Sequence, residues 1–312
     1  MNDDVKSVLL VSLSCVGDAV MTTPVLQSLN SLYPQAKIDI VSDSRSHLIY
    51  NHCPYLGNIF LKNKARFMRG ALDLVFTVRK KKYDLIVDLR TDGLAYLLKG
   101  KDRLTKFGAV PYGKHAVENL MGVIRRIHGE QEIPDTRVWI TGQEEKFAED
   151  LLGPLPGGTW LAVVPDNLDN RKTWPEENYV NLINYFSNQL DGVIFEGSSA
   201  ERGCADRIAS RINVPSVNLA GKTNLLQAAA VIKRAKAYIG GDSGLGHVAG
   251  AMETPSLLFF SVDKPERVLP WRASASYLVS RDSEASSIPL ADAIVKFEAF
   301  LAGIQDLNKS FV

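Results

Sequence analysis

Cysteine is scarce in this chain: only Cys15, Cys53 and Cys204 occur in 312 residues, far apart and without a CxxC pair. Such a set builds neither a disulfide framework nor a zinc site, so inert thiols in a reducing compartment are expected. No apolar run is long enough to cross a bilayer. Val8-Leu9-Leu10-Val11-Ser12-Leu13 suits a buried strand instead. The start, Met1-Asn2-Asp3-Asp4, is acidic where a secretory signal would be basic. The expected location is cytoplasmic, with contact at the inner face of a membrane left open. Charge of one sign is also lacking: the formal net charge is +1, without the basic excess of a general nucleic-acid binder. HExxH and DxD are absent and the histidines are scattered, so no metal is implied.

What is present is ordinary globular material, 46% hydrophobic and 23% charged, enough for a normal core. Its length favours two domains. The first half alternates apolar runs with helical stretches. Residues 7–12 read as a buried strand, 18–32 as a helix with Pro24 in its first turns, and 37–41 and 84–89 as strands; 107–110 is a candidate fourth. The densest Gly/Pro cluster, Gly153-Pro154-Leu155-Pro156-Gly157-Gly158, reads as a linker. The alternation then restarts, with strands at 160–164, 193–196, 217–219, 237–240 and 256–260, and helices at 175–189, 200–212, 225–235 and 246–252. This order predicts an α/β chain of two doubly wound parallel-sheet domains with a cleft between them, and ligands at the carboxyl ends of the strands.

The turn from Ser12 to Pro24 follows the first strand and opens the first helix. It is neither a Walker A loop nor GxGxxG, since Gly17 is its only glycine. That disfavours a dinucleotide site there, and with it a nicotinamide oxidoreductase. Gly17 permits a sharp turn, and Asp18 is either a helix cap or a carboxylate that accepts a proton from an attacking hydroxyl.

Four stretches in order resemble glycosyltransferase family 9, the lipopolysaccharide heptosyltransferases. They are Ser14-Cys15-Val16-Gly17-Asp18-Ala19-Val20-Met21-Thr22-Thr23-Pro24; Lys172-Thr173-Trp174-Pro175-Glu176-Glu177; Glu196-Gly197-Ser198-Ser199-Ala200-Glu201-Arg202 with Asn218-Leu219-Ala220-Gly221-Lys222-Thr223-Asn224-Leu225; and Gly241-Asp242-Ser243-Gly244-Leu245-Gly246-His247-Val248-Ala249-Gly250-Ala251. The resemblance runs from about residue 7 to 272. It implies a GT-B fold: an acceptor-binding Rossmann-like domain over 1–152 and a donor-binding one over 159–312, with a last helix allowed to return to the first. It also implies an ADP-sugar donor, typically ADP-heptose, with no further cofactor.

On this reading Asp18 is the catalytic base, and Gly17 lies in the donor-contacting turn. Lys172 is the cation on the leaving phosphate, where charge grows in the transition state. Its neighbours Trp174 and Pro175 fix its position. Ser243 and Gly244 offer backbone N–H groups to the diphosphate at a helix N-terminus. Asp242 faces the donor sugar or orients the loop, His247 donates one turn further on, and Glu201 matches the family glutamate on the ribose. The loop before Lys172 departs from the family: Asn167 takes a donor role, while Asp166 and Asp169 are unusual beside a diphosphate. Ser261-Val262-Asp263-Lys264-Pro265 replaces a common G-P-T-D-P.

Basic residues gather in the first half. Lys62, Lys64, Arg66 and Arg69 are the candidate patch for an anionic glycolipid acceptor. Arg79-Lys80-Lys81-Lys82 reads as the end of a helix. The expectation is inverting heptosyl transfer to a lipopolysaccharide inner-core acceptor, with peripheral membrane contact and no nucleic acid. The alternatives are a heptosyltransferase acting on a protein such as an autotransporter, and a non-catalytic GT-B nucleotide-binding module.

Overall fold

The computed structural model describes residues 5–62, 67–90, 93–153, 157–165 and 169–309. The chain packs as two compact units, Met1–Trp139 and Ile140–Val312. The division precedes the Gly/Pro segment at 153–158. Helix Gly142–Leu152, capped by a reciprocal Thr141–Glu144 box, therefore packs with the second unit. The last helix, Leu290–Lys309, also belongs to the second unit, where Phe297 meets Phe186 with ring centroids 4.9 Å apart.

In the first unit, β1 (Ser7–Val11), β2 (Lys37–Asp43), β3 (Leu56–Lys62), β4 (Tyr83–Asp88) and β5 (Gly100–Thr105) form one parallel sheet in the order β3-β2-β1-β4-β5. The second unit holds β6 (Trp160–Val164), β7 (Gly192–Phe195), β8 (Ser216–Asn218), β9 (Ala237–Gly241), β10 (Ser256–Phe260) and β11 (Ala275–Val279). Its order is β11-β10-β9-β6-β7-β8, again parallel. In each sheet the winding reverses beside the first strand, at β1/β4 and at β6/β9. That is the switch point where such sheets leave a crevice at their carboxyl edge.

Strands covered by helices on both faces carry near-continuous apolar runs. β1, β6 and β10 accordingly bury nearly every residue. β2 is likewise buried on both faces after Lys37, although it carries charged residues. Asp39 is fully buried, and its carboxylate accepts from Asn58 N at 2.8 Å, Tyr83 Oη at 2.8 Å and Lys81 Nζ at 2.9 Å. These partners offset the cost of burying the charge.

Two expectations are corrected. The helix from Asp18 to Leu32 is broken into Val16–Met21 and Thr23–Leu32. Pro24 has no N–H for the carbonyl of Val20. The Thr23 hydroxyl binds that carbonyl at 2.7 Å, and the Thr22 hydroxyl binds Ala19 O at 2.7 Å. Phe107–Val110 is not a strand. Lys106–Gly108 is a 3-10 turn with Phe107 82% exposed, and the strand beside β4 is β5. Among the described residues, no helix is long and apolar enough to cross a membrane.

Candidate functional site

The turn after β1 places Asp18 as the third residue of helix Val16–Met21, half-buried, with Gly17 buried before it. Asp18 is not the cap. Cys15 holds that position, and its side chain makes no capping bond. A buried hydroxyl cluster lies in the same turn. The Tyr50 hydroxyl is 2.5 Å from Ser12 Oγ and 2.6 Å from Thr22 Oγ1, and donates to Ala19 O at 3.2 Å. Burial pushes the Tyr50 phenol up to about 12, and the nearby Asp18 charge acts in the same direction. Tyr50 therefore stays a neutral strut under the turn. Across the switch point, Asp88 at the end of β4 accepts from Arg90 N at 2.8 Å and Ala95 N at 3.3 Å. The Arg90 guanidinium in turn donates to Ser14 Oγ, which brings a cation to the Gly17–Asp18 turn.

Of the candidate acceptor residues, Lys62 ends β3 and is half-buried. Arg69 is exposed on helix Phe67–Val78 and lines a surface pocket with Leu72, Asp73 and Phe76. Lys64 and Arg66 lie outside the described residues. Residues 79–82 follow that helix, as expected, and Lys81 is committed to Asp39.

The carboxyl edge of the second sheet collects the other candidates. β6 leads to the 3-10 turn Asn170–Lys172, β9 leads to Asp242 and Ser243, and β10 leads to Asp263. The Lys172 ammonium donates to Asp242 Oδ2 at 2.6 Å and to Asp263 Oδ2 at 2.5 Å. Burial alone would lower the pKa of Lys172, but the two carboxylates outweigh it and hold it above the lysine value. Asp242 is raised, chiefly by burial; Asp263 is lowered, chiefly by its bond to Lys172.

Lys172 is rigidly placed because Trp174 is anchored two residues later. The indole is fully buried, its centroid 4.4 Å from Phe259 and 5.0 Å from Tyr179, and Nε1 donates to Ile288 O at 3.0 Å. Asn167 lies outside the described residues.

Ser243 caps helix Gly244–Ala251 from an extended conformation without spending its hydroxyl on the helix; Oγ lies 3.4 Å from Tyr238 Oη. The N–H groups at Gly244 and beyond head a helix start suited to an anion. His247 is buried one turn in. Glu201 caps helix Arg202–Ala209, and its carboxylate accepts from Ser198 N. Gly197 stands opposite at φ 145°, where an added Cβ would sit 2.8 Å from Glu201 Oε2.

Glu196 and Thr223 were not singled out by residue type. Glu196 follows β7 and is fully buried; Oε2 accepts from the Thr223 hydroxyl at 2.8 Å, and Oε1 has no partner among the described residues. Burial raises its pKa to about 7. A carboxylate directly after an apolar strand was the only available signal. Among the described residues, no cluster of three or more His, Cys, Asp or Glu side chains could hold a metal ion.

The family profile described as glycosyltransferase family 9 (heptosyltransferase) matches residues 103–289, more than half of the chain and all of the edge that carries Lys172, Asp242 and Asp263. This chain belongs to glycosyltransferase family 9. Among similar proteins is a lipopolysaccharide core heptosyltransferase, OpsX, of Haemophilus influenzae. It is 24% identical over 288 residues, covering 85% of this chain and 82% of that protein. Among solved structures, a glycosyl transferase family 9 protein from Veillonella parvula superposes with a TM-score of 0.88 at 19% identity, covering 97% of this chain and 99% of the other. The Escherichia coli heptosyltransferase WaaC, solved with ADP, superposes with a TM-score of 0.76 at 19% identity, covering 94% and 99%. The fold is GT-B, and the chain is a glycosyltransferase of the lipopolysaccharide heptosyltransferase family.

Proposed function

We propose that this family 9 enzyme transfers heptose from ADP-heptose to an inner-core lipopolysaccharide acceptor, with inversion at the anomeric carbon. The observation that carries the donor half is the placement of Lys172. A rigidly held ammonium stands at the β6/β9 switch point, beside the Ser243–Gly244 helix start. A cation and convergent backbone N–H groups suit a departing diphosphate, whose negative charge grows as the glycosidic bond breaks. Glu201 serves the ribose and His247 the phosphate or sugar oxygens. That the similar Escherichia coli heptosyltransferase WaaC was solved with ADP supports adenine as the base.

For the acceptor half, Asp18 takes the proton of the attacking hydroxyl as the C–O bond forms, and ADP leaves with the bonding pair. Lys62 and Arg69 offer counter-charge to a phosphorylated glycolipid, with Leu72 and Phe76 exposed beside Arg69. The reading draws on no cofactor beyond the nucleotide sugar, and places the reaction at the cytoplasmic face of the inner membrane.

The test is transfer with the full chain and a Kdo–lipid A acceptor, offered ADP-heptose, a UDP-sugar or a GDP-sugar and read by acceptor mass. A heptose increment from ADP-heptose alone is expected. Transfer from a UDP- or GDP-sugar would overturn the donor assignment, and modification of a protein in place of the glycolipid would overturn the acceptor.

A further inference from the structure

Lys172 is paired twice. One ammonium stands between the carboxyl groups of Asp242 and Asp263, and both compete for it. A diphosphate is itself an anion, so it competes with these two groups for the ammonium of Lys172. For the ammonium to reach a phosphate oxygen, one carboxylate has to give way.

The two are not equivalent. The Asp242 side chain is 11% exposed, and burial already raises its pKa. Stripping it of its cation would strand a charge in a dry site, which is costly. The Asp263 side chain is 45% exposed, so water can take over its solvation. Arg267, one turn along in helix Pro265–Val268, also lies near enough to favour its ionised form, so a second counter-charge is at hand. Asp263 sits in the segment after β10 that departs from the family's G-P-T-D-P.

We propose that Asp263 is a built-in competitor for the donor's diphosphate: it holds Lys172 in the unliganded enzyme and is displaced when a nucleoside diphosphate binds, while Asp242 keeps its bond. The device holds the lysine in position between turnovers. It also weakens the grip on ADP after transfer, because the same carboxylate can reclaim Lys172 as the product departs. The inference rests on the donor reading above and adds to it the residue that sets the strength of diphosphate binding.

The test is calorimetric titration of ADP, and of adenosine as a phosphate-free control, into the full chain. The variants are Asp263→Asn, Asp263→Ala, Lys172→Ala and the double variant Asp263→Asn/Lys172→Ala, with thermal melts to confirm folding. Removing a half-exposed competing charge is expected to tighten ADP binding about three- to ten-fold. The gain should vanish in the Lys172→Ala background, and adenosine binding should not change. If Lys172→Ala weakens ADP but the Asp263 variants bind it no more tightly than wild type, the competitor role is wrong and the donor reading stands. If Lys172→Ala leaves ADP affinity unaltered, the donor reading fails and the inference with it. Tightening that persists without Lys172 would show general charge relief and would also overturn the proposal.

Discussion

Lys172 and Asp242 leave the sheet from β6 and β9, 70 residues apart in sequence, and meet at 2.6 Å across the switch point of the second unit. The carboxylate orients the ammonium and the buried setting strengthens its field. Replacing Lys172 with Ala is expected to weaken ADP binding about ten- to a hundred-fold, the range of a charge-assisted hydrogen bond. The loss in kcat should be larger, since charge on the leaving group peaks in the transition state. Calorimetry with ADP and single-turnover transfer measure the two effects; a loss of affinity with kcat unchanged would assign Lys172 to ground-state binding alone.

Trp174 is what makes that geometry repeatable. It packs on Phe259 and Tyr179 with no exposed surface and donates to Ile288 O. Trp174→Ala is expected to cost about 3–5 kcal/mol in chemical denaturation. Trp174→Phe, which keeps most of the packing and drops the hydrogen bond, should cost less. A loss below about 1 kcal/mol for Trp174→Ala would mean the indole is not the anchor.

Glu196 gives a pH signature. Burial lifts its carboxyl from 4.5 to about 7, while the Thr223 hydroxyl and Gly197 backbone pull the other way. The folded chain therefore holds a proton that the unfolded chain releases near 4.5. The stability this contributes is full below 4.5 and is lost as pH rises through about 7. Glu196→Gln mimics the protonated form. Relative to wild type, it should gain urea midpoint across that window; a difference independent of pH would contradict the assignment.

The Tyr50 hydroxyl links Ser12 and Thr22 beneath the Asp18 turn, fully buried. Tyr50→Phe leaves both hydroxyls short of a shared partner, and about 1–3 kcal/mol of stability is expected to go. Denaturant midpoints check this. No loss would mean that the two hydroxyls pair adequately with each other.

The fold was legible where strands are buried on both faces. β1, β6, β9 and β10 are apolar almost throughout and β4 holds the run Leu85-Ile86-Val87, and their positions agree with the sequence to within a residue or two. The strands without a sequence signal, β3, β5 and β11, all lie at sheet edges, half in water; Lys, Asp, Arg and Asn interrupt the pattern in β3 and β5. The helix break at Thr22 was hidden because Pro24 was compatible with a helix start; only the threonine side-chain bonds show where that start falls.

At the site, Lys172, Asp242 and Ser243 could be read because they follow strand ends within recognisable motifs. Asp263 was visible only as a departure from the family pattern, and its role as a second partner of Lys172 depends on contact across 91 residues. Tyr50 and Glu196 act through buried contacts with residues 28 and 27 positions away, which neither spacing nor residue type encodes.

The most direct test of the account is Asp18→Asn, assayed twice on the same preparation for ADP affinity and for heptosyl transfer from ADP-heptose. The account predicts ADP affinity close to wild type and transfer reduced about a hundred-fold or more, as expected when a general base is removed. Transfer at the wild-type rate would contradict it and remove Asp18 from the chemistry.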